Sequence, residues 1–278
     1  MRFAPATTHR TAVTLMWALA LTAIGLLLFI LGFILWHGLP HVTWTFLSQS
    51  PRLMGEEGGV LPMIVGTLCV TVLALLIAAP LGVAAAIYLT EYTRESRLTS
   101  VIRFGADCLA GIPSIIFGLF GFVFFVITLG LGLCIVSGAL TLTLMVLPTI
   151  IRTSEEAIRA VPRSYREVSY GLGSSRWQMV TRVVLKSAMP GIGTGIVLAM
   201  GRCIAETAAT MLTVGSALQF PTSAFDSTRT LALHFYILSR EGLSMANAYA
   251  TASVLIVAML AINMVSRWLM SRYTARVR

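Results

Sequence analysis

Residues 152–186 read RTSEEAIRAVPRSYREVSYGLGSSRWQMVTRVVLK and carry seven basic residues: Arg152, Arg159, Arg163, Arg166, Arg176, Arg182 and Lys186. The stretch decides the fold through what flanks it. Before it, 108–151 is a run of 44 residues without a charge, and after it the chain is apolar again from residue 187. So long a basic insert between apolar runs sets the topology, and it offers a surface on which something in the cytoplasm can dock.

The rest of the composition agrees. The 278 residues are 57% hydrophobic and 11% charged, with a mean hydropathy of +0.86, whereas soluble domains run near ~25% charged. Apolar surface in that excess has to be solvated by lipid. The net charge of +9 would point to nucleic acid in a soluble chain. Here the basic residues sit at the ends of apolar runs and act as topology signals, so no nucleic-acid partner is expected. Cys69, Cys108, Cys134 and Cys203 lie far apart in or beside apolar runs and form no CxxC. They read as small apolar residues rather than a metal site or a disulfide framework.

Charge-free length predicts six helices, the natural way to satisfy backbone polar groups in lipid. The spans are about 13–36, 61–88, 108–128, 132–151, 187–217 and 245–267, with residues 1–12 as a cytoplasmic N-terminus and 152–186 as the loop between spans four and five. The first run is too long for a signal-peptide core and reads as an uncleaved span. With both termini inside, 16 basic residues fall on the inner side against three (Arg52, Arg229 and Arg240) on the outer side, while Arg202 lies within a span. That is a decisive positive-inside bias. The outer loops 37–60 and 218–244 hold few helix or strand signals and leave no room for a separate domain.

Within the insert, Pro162 suits the first turn of a helix. Tyr165, Val168 and Leu172 then fall at i, i+3 and i+7 on one apolar face. Gly171 and Gly173 can adopt positive φ and end the helix. Ser175 with Gln178 matches a capping box that opens a second helix, whose apolar face is Trp177, Val180 and Val184. The unit is helix, glycine turn, helix. By periodicity alone such a pair could also lie on anionic lipid headgroups.

Residues 167–173, Glu-Val-Ser-Tyr-Gly-Leu-Gly, followed by Val183-Val184-Leu185, resemble the EAA loop of bacterial ABC-importer permeases. Glu167 and Gly173 match in register, Val168 and Ser169 replace the two alanines, and Lys186 stands where a proline is expected, with Pro190 four residues on. Residues 87–92 (IYLTEY), 111–121 (GIPSIIFGLFG), 151–153 (IRT) and 202–208 (RCIAETA) are similar to phosphate-importer permeases, the PstA type more than its PstC partner. The likeness covers roughly 60–215. It implies an all-α membrane protein of the type I ABC-importer permease kind, with six transmembrane helices and a coupling loop that docks on an ATPase. The residues it implies for that contact are Arg163, Tyr165, Arg166, Glu167, Tyr170, Gly171, Leu172 and Gly173. The implied partners are a second, PstC-like permease, a PstB-like ATPase dimer and a PstS-like periplasmic phosphate-binding protein, with phosphate as the substrate and membrane lipid as the solvent.

The chain's one lysine, Lys186, is not preceded by the glycines of a P-loop. Any ATP must therefore be hydrolysed by another subunit, and no cofactor is expected in this chain. Arg202 and Glu206 sit at i and i+4 and are expected to share a helix face. An arginine at mid-membrane costs about 2.5–3.5 kcal/mol on insertion scales and needs compensation. Either the two form a neutralising pair that packs helices, or Arg202 faces the translocation path, where its planar donors suit a tetrahedral oxyanion. Arg152, at the inner end of span four, is an interface anchor or a residue at the inner mouth of the path. Pro80, Pro113, Pro148 and Pro190 would kink or end helices, and Gly111, Gly118 and Gly121 favour close helix contact. Glu56 and Glu57 lie in a solvated loop that could touch a binding protein. Other expectations remain open: an importer for molybdate, tungstate or sulfate, a self-sufficient secondary transporter, or an intramembrane enzyme. The last lacks a His/Asp/Glu cluster in the spans, and no catalytic or metal-binding residue is expected.

Overall fold

The computed structural model describes residues 5–94 and 96–277. Arg2 and Arg278, two of the basic residues used above to orient the chain, lie outside them. Among the described residues, five helices are long and apolar enough to cross a membrane: Ala12–His41, Leu61–Tyr92, Ile135–Arg159, Arg176–Ile204 and Met245–Arg272. A sixth crossing exists if the bent pair Arg97–Ala110 and Ser114–Thr128 is one span. We label α1 (Pro5–Gly38), α2 (Leu61–Ile87), α3 (Arg97–Ala110), α4 (Ser114–Gly121, continued as a π-helix over Phe122–Thr128), α5 (Ile135–Arg159), α6 (Arg163–Gly171), α7 (Arg176–Ile204), α8 (Ala208–Thr213), α9 (Leu231–Arg240) and α10 (Met245–Val277).

Helices α2, α5 and α7 form the centre. Ala74, Ala78, Leu142, Met145, Val146, Ile150, Ala199 and Cys203 are buried together there, and Thr143 Oγ1 donates across to the Ala74 carbonyl at 3.1 Å. Small residues allow the approach, as membrane helices require when no hydrophobic effect drives them together. A Cβ on Gly82 would come within 2.7 Å of Ile150 Cγ2. Gly82→Val is therefore expected to lower the thermal stability of the solubilised protein by about 1–3 kcal/mol, the usual cost of overpacking, which a melting curve in detergent would read. Helix α1 stands apart and packs on α10, where Gly38 meets Tyr249 and Ser253 Oγ donates to the Ile34 carbonyl at 3.3 Å.

The helix ends differ from the sequence reading in four places. The third span, expected as 108–128, is broken: α3 and the Ser114–Thr128 segment meet at 99° where Gly111-Ile112-Pro113 interrupts the helical bonds. Helix α3 opens on a Ser96–Thr99 capping box and is amphipathic, with Leu98, Val101 and Phe104 exposed and Arg103 turned inward. The insert 152–186 is helical at both ends, continuous with the spans that flank it. Residues 152–159 are the last two turns of α5, and residues 176–186 are the first turns of α7. The fifth span ends at Ile204 rather than at 217, because Ala205, Glu206 and Thr207 leave the helix before α8 begins. Within the loop expected at 218–244, α9 forms behind Thr230, whose hydroxyl accepts the Leu233 N–H at 3.4 Å.

Candidate functional site

Between α5 and α7 the insert leaves residues 160–175. Helix α6 starts behind Pro162 and ends at Leu172, Gly173 turns the chain at φ +77°, and Ser175 caps α7 through a reciprocal box with Gln178. The turn needs glycine because that φ is left-handed; Gly171 itself is helical. The second helix of the unit is thus the start of a membrane-spanning helix. Its first stretch passes through a π-helical turn, Val180–Val184, that buries Val180 and Val184 with Met179 against Ala86, Ile158, Val161 and Ala188. Beneath α6, Ser169 is buried and its hydroxyl lies 2.7 Å from that of Ser174.

Of the eight residues expected at a docking surface, Arg163, Tyr165, Glu167, Tyr170, Gly171, Leu172 and Gly173 are exposed. Leu172 is 84% exposed and Val168 63%. With Ser169, Gln178, Arg182 and Val183 they line an open apolar groove. The eighth, Arg166, turns the other way. Its guanidinium meets Glu91 at the end of α2 (Nη2–Oε1 2.7 Å, Nε–Oε1 3.1 Å) and donates to the carbonyls of Val161 (2.7 Å) and Ile158 (3.0 Å). Sequence reading missed Glu91 as its partner. The available signal was an acidic residue, Thr90-Glu91-Tyr92, just past an apolar run at the basic end of the bundle.

Arg152 is held by Asp107 of α3 at 2.8 Å, with Glu156 at 3.9 Å. Both partners are well exposed, so the pair contributes little stability. Beside it Arg103 joins Glu155 (3.0 Å) and the Leu89 carbonyl (3.3 Å), and Arg159 approaches Glu155 at 3.8 Å. Arg152 therefore belongs to a charged seam between α3 and α5. Neither of its two sequence readings included this seam.

Arg202 and Glu206 do not share a helix face. The helix ends between them, and the carboxyl of Glu206, buried, accepts the Ala209 N–H at 3.1 Å at the start of α8. Glu206 is committed to the backbone and, among the described residues, forms no ion pair with Arg202. Arg202 is half-buried on the last turn of α7, next to Gly201, which faces Met259 of α10, and Cys203, which lies in the core. It lies at helical spacing after Thr194 and Leu198, which are exposed. Among the described residues, its guanidinium has no hydrogen-bond or ion-pair partner. Sixteen helical rises put it about 24 Å beyond Lys186, within but near the far side of a hydrocarbon layer ~30 Å thick.

At that far end the segment after α8 packs onto the bundle. Ile135 and Val136 donate to the Asp226 and Ala224 carbonyls at 3.1 and 3.0 Å, and Ser227 Oγ donates to the Val214 carbonyl at 2.9 Å. Arg229, read above as a loop charge, is 3% exposed and donates to the Ser216 carbonyl at 3.2 Å. Its Nη1 lies 3.4 Å from His234 Nδ1. Burial, and then the neighbouring guanidinium, push the His234 pKa from its ordinary 6.5 down to about 3. Between those values the unfolded chain takes up a proton that the folded one refuses, so stability falls as pH drops from about 6.5 towards 3. Thermal unfolding at pH 7 and pH 5 should show that loss, and His234→Asn should reduce it.

The sequence model of the family described as "binding-protein-dependent transport system inner membrane component" matches residues 78–278, and the chain belongs to that family. It is 33% identical over 261 residues to the probable ABC transporter permease protein YqgI of Bacillus subtilis (strain 168), covering 88% of this chain and 89% of that protein. It is 34% identical over 238 residues to the phosphate transport system permease protein PstA 1 of Mycobacterium tuberculosis (strain ATCC 25618 / H37Rv), covering 84% and 76%. A crystal structure of a bacterial alginate ABC transporter, in complex with an alginate-bound periplasmic protein, contains a chain that superposes with a TM-score of 0.66 at 15% identity, over 97% of this chain and 95% of that one. At that identity the likeness establishes the fold alone, a type I ABC-importer permease.

Proposed function

We propose that this chain is a transmembrane subunit of an ATP-driven importer that moves inorganic phosphate into the cytoplasm. The observation that carries the oxyanion reading is Arg202: a half-buried guanidinium on the last turn of a membrane-spanning helix, in line with exposed Thr194 and Leu198, with no hydrogen-bond or ion-pair partner among the described residues. An unpaired charge there is expensive. A passing anion and the facing surface of a second, homologous permease together offset that cost. Phosphate is favoured over molybdate, tungstate or sulfate by the likeness to PstA 1.

In this reading a periplasmic binding protein delivers phosphate, and two ATPase copies dock on the inserts of the two permeases. This chain has no catalytic site and binds no cofactor, since the ATP is used by the ATPase. The basic bias supports an insert and termini on the cytoplasmic side of a bacterial membrane. The exposed groove at Tyr165, Val168 and Leu172 suits a protein partner, because its apolar side chains are left uncovered between polar and charged ones, Gln178 and Arg182. A self-sufficient secondary transporter would have no use for such a surface.

The test is uptake of labelled phosphate by cells whose copy of this chain has been deleted and then restored. Uptake should disappear and return with the chain, and a tenfold excess of molybdate or sulfate should leave it unchanged. Restored transport of molybdate or sulfate without phosphate would replace the substrate named here.

A further inference from the structure

Arg166 stands apart from the other insert residues because it points into the bundle, and its guanidinium reaches the ends of two other helices, α2 and α5, at once. One edge grips the carboxylate of Glu91, with contacts of 2.7, 3.1 and 3.5 Å. The remaining donors reach the Ile158 and Val161 carbonyls, at 3.0 and 2.7 Å, where α5 ends. A cation at the C-terminal end of a helix also meets the negative end of its dipole. The pair is well shielded, at 19% and 8% side-chain exposure, so water competes with it weakly.

The connectivity gives this contact a particular weight. Helix α6 is joined covalently to α5 through residues 160–162 and to α7 through residues 172–175. It has no covalent link to α2. Among the described residues, the ion pair between α6 and the end of α2 is the one made by Arg166. Glu91 itself lies in a π-helical turn, Tyr88–Tyr92, that closes α2. A second π-helical turn, Val180–Val184, starts α7, and Arg176 lies 5.1 Å from the Tyr92 ring. π-Helical turns are uncommon and cluster at functional positions. Two of the three here, those at the end of α2 and at the start of α7, lie beside the insert; the third, Phe122–Thr128, lies away from it.

We propose that Arg166 is a positioning residue: the joint through which displacement of the insert helix is passed to α2 as well as to α5 and α7. This rests on the importer reading above. Without the joint, α6 would still dock and still pull on its covalent neighbours, but α2 would lag behind them. ATP hydrolysis would then proceed without productive transport. Arg166 and Glu91 should therefore act on the ratio of uptake to ATP hydrolysed, whereas a docking residue acts on ATPase binding.

The complete complex, reconstituted in vesicles, provides the test, with Arg166→Lys, Arg166→Ala, Glu91→Gln and the Arg166→Ala/Glu91→Gln double variant. Glu91→Gln keeps side-chain shape and is the variant least disturbing to folding. Arg166→Ala and Glu91→Gln should each retain the ATPase and its hydrolysis while uptake per ATP falls at least tenfold. Arg166→Lys should recover part of the loss, and the double variant should be no worse than the worse single one. Unchanged uptake per ATP in Glu91→Gln would overturn the proposal. So would loss of ATPase binding in Arg166→Ala beside a normal Glu91→Gln, because Arg166 would then be a docking contact. If the unaltered complex showed no ATP-driven uptake, the importer reading itself would fall, an outcome distinguishable from either of these.

Discussion

Replacing Arg202 with glutamine is expected to reduce phosphate uptake to background while the complex still assembles. The side chain is half-buried on the last turn of α7 and, among the described residues, makes no hydrogen bond or ion pair, so its loss should leave the fold intact. What disappears is a set of planar donors. A charge-assisted hydrogen bond contributes roughly 1.5–3 kcal/mol, equivalent to about a 10- to 100-fold change for each one lost. Glutamine retains some length and polarity but no charge, so it separates the electrostatic role from the steric one. Arg202→Lys keeps the charge but loses the fork, and should leave partial uptake. Normal uptake by Arg202→Gln, in complexes that purify intact, would remove Arg202 from the path. Glu206→Gln should behave differently. Its carbonyl oxygen can still accept the Ala209 N–H, so the variant should transport, which would not hold if Glu206 were the counter-ion of Arg202.

A second large effect is expected at the insert. Leu172 follows the last residue of α6 and is 84% exposed, so Leu172→Glu should disturb neither the helix nor the core. In a docked complex it would bury a carboxylate in an apolar groove lined by Tyr165, Val168 and Val183. Hot-spot positions of this kind cost about 2 kcal/mol or more when altered, which weakens the contact roughly 30-fold. The ATPase should no longer co-purify and uptake should cease, while the two permeases remain together. Ser164→Glu, also exposed on α6 but outside that groove, serves as the control.

These two positions were legible in the sequence to different degrees. The glycine turn, the Ser175 cap and the apolar spacing of Tyr165, Val168 and Leu172 are local signals, and the structure places all of them in one short unit. That α5 and α7 run on into the insert was not legible, because charges were taken as the edge of a helix. Helices α5 and α7 carry their charges outward for two or three turns beyond the apolar stretch, and a hydropathy pattern cannot tell a continued helix from a loop.

The Arg202–Glu206 pairing failed for a similar reason. An i, i+4 argument assumes an unbroken helix, and Ala205-Glu206-Thr207 contains neither glycine nor proline to warn of a break. The 99° bend at Gly111-Ile112-Pro113 did carry its signal, but charge-free length outweighed it in placing the span. Arg166 looks like its exposed neighbours in the sequence. Its inward turn is decided by Glu91, which lies 75 residues away and enters the site through tertiary packing.

The most direct test of the central claim is phosphate accumulation in vesicles reconstituted with this chain, its partner permease, the ATPase and the binding protein. Phosphate should accumulate only when ATP and all four components are present, and omitting the ATPase or this chain should each abolish it. Accumulation by this chain alone, driven by an ion gradient without ATP, would contradict the account.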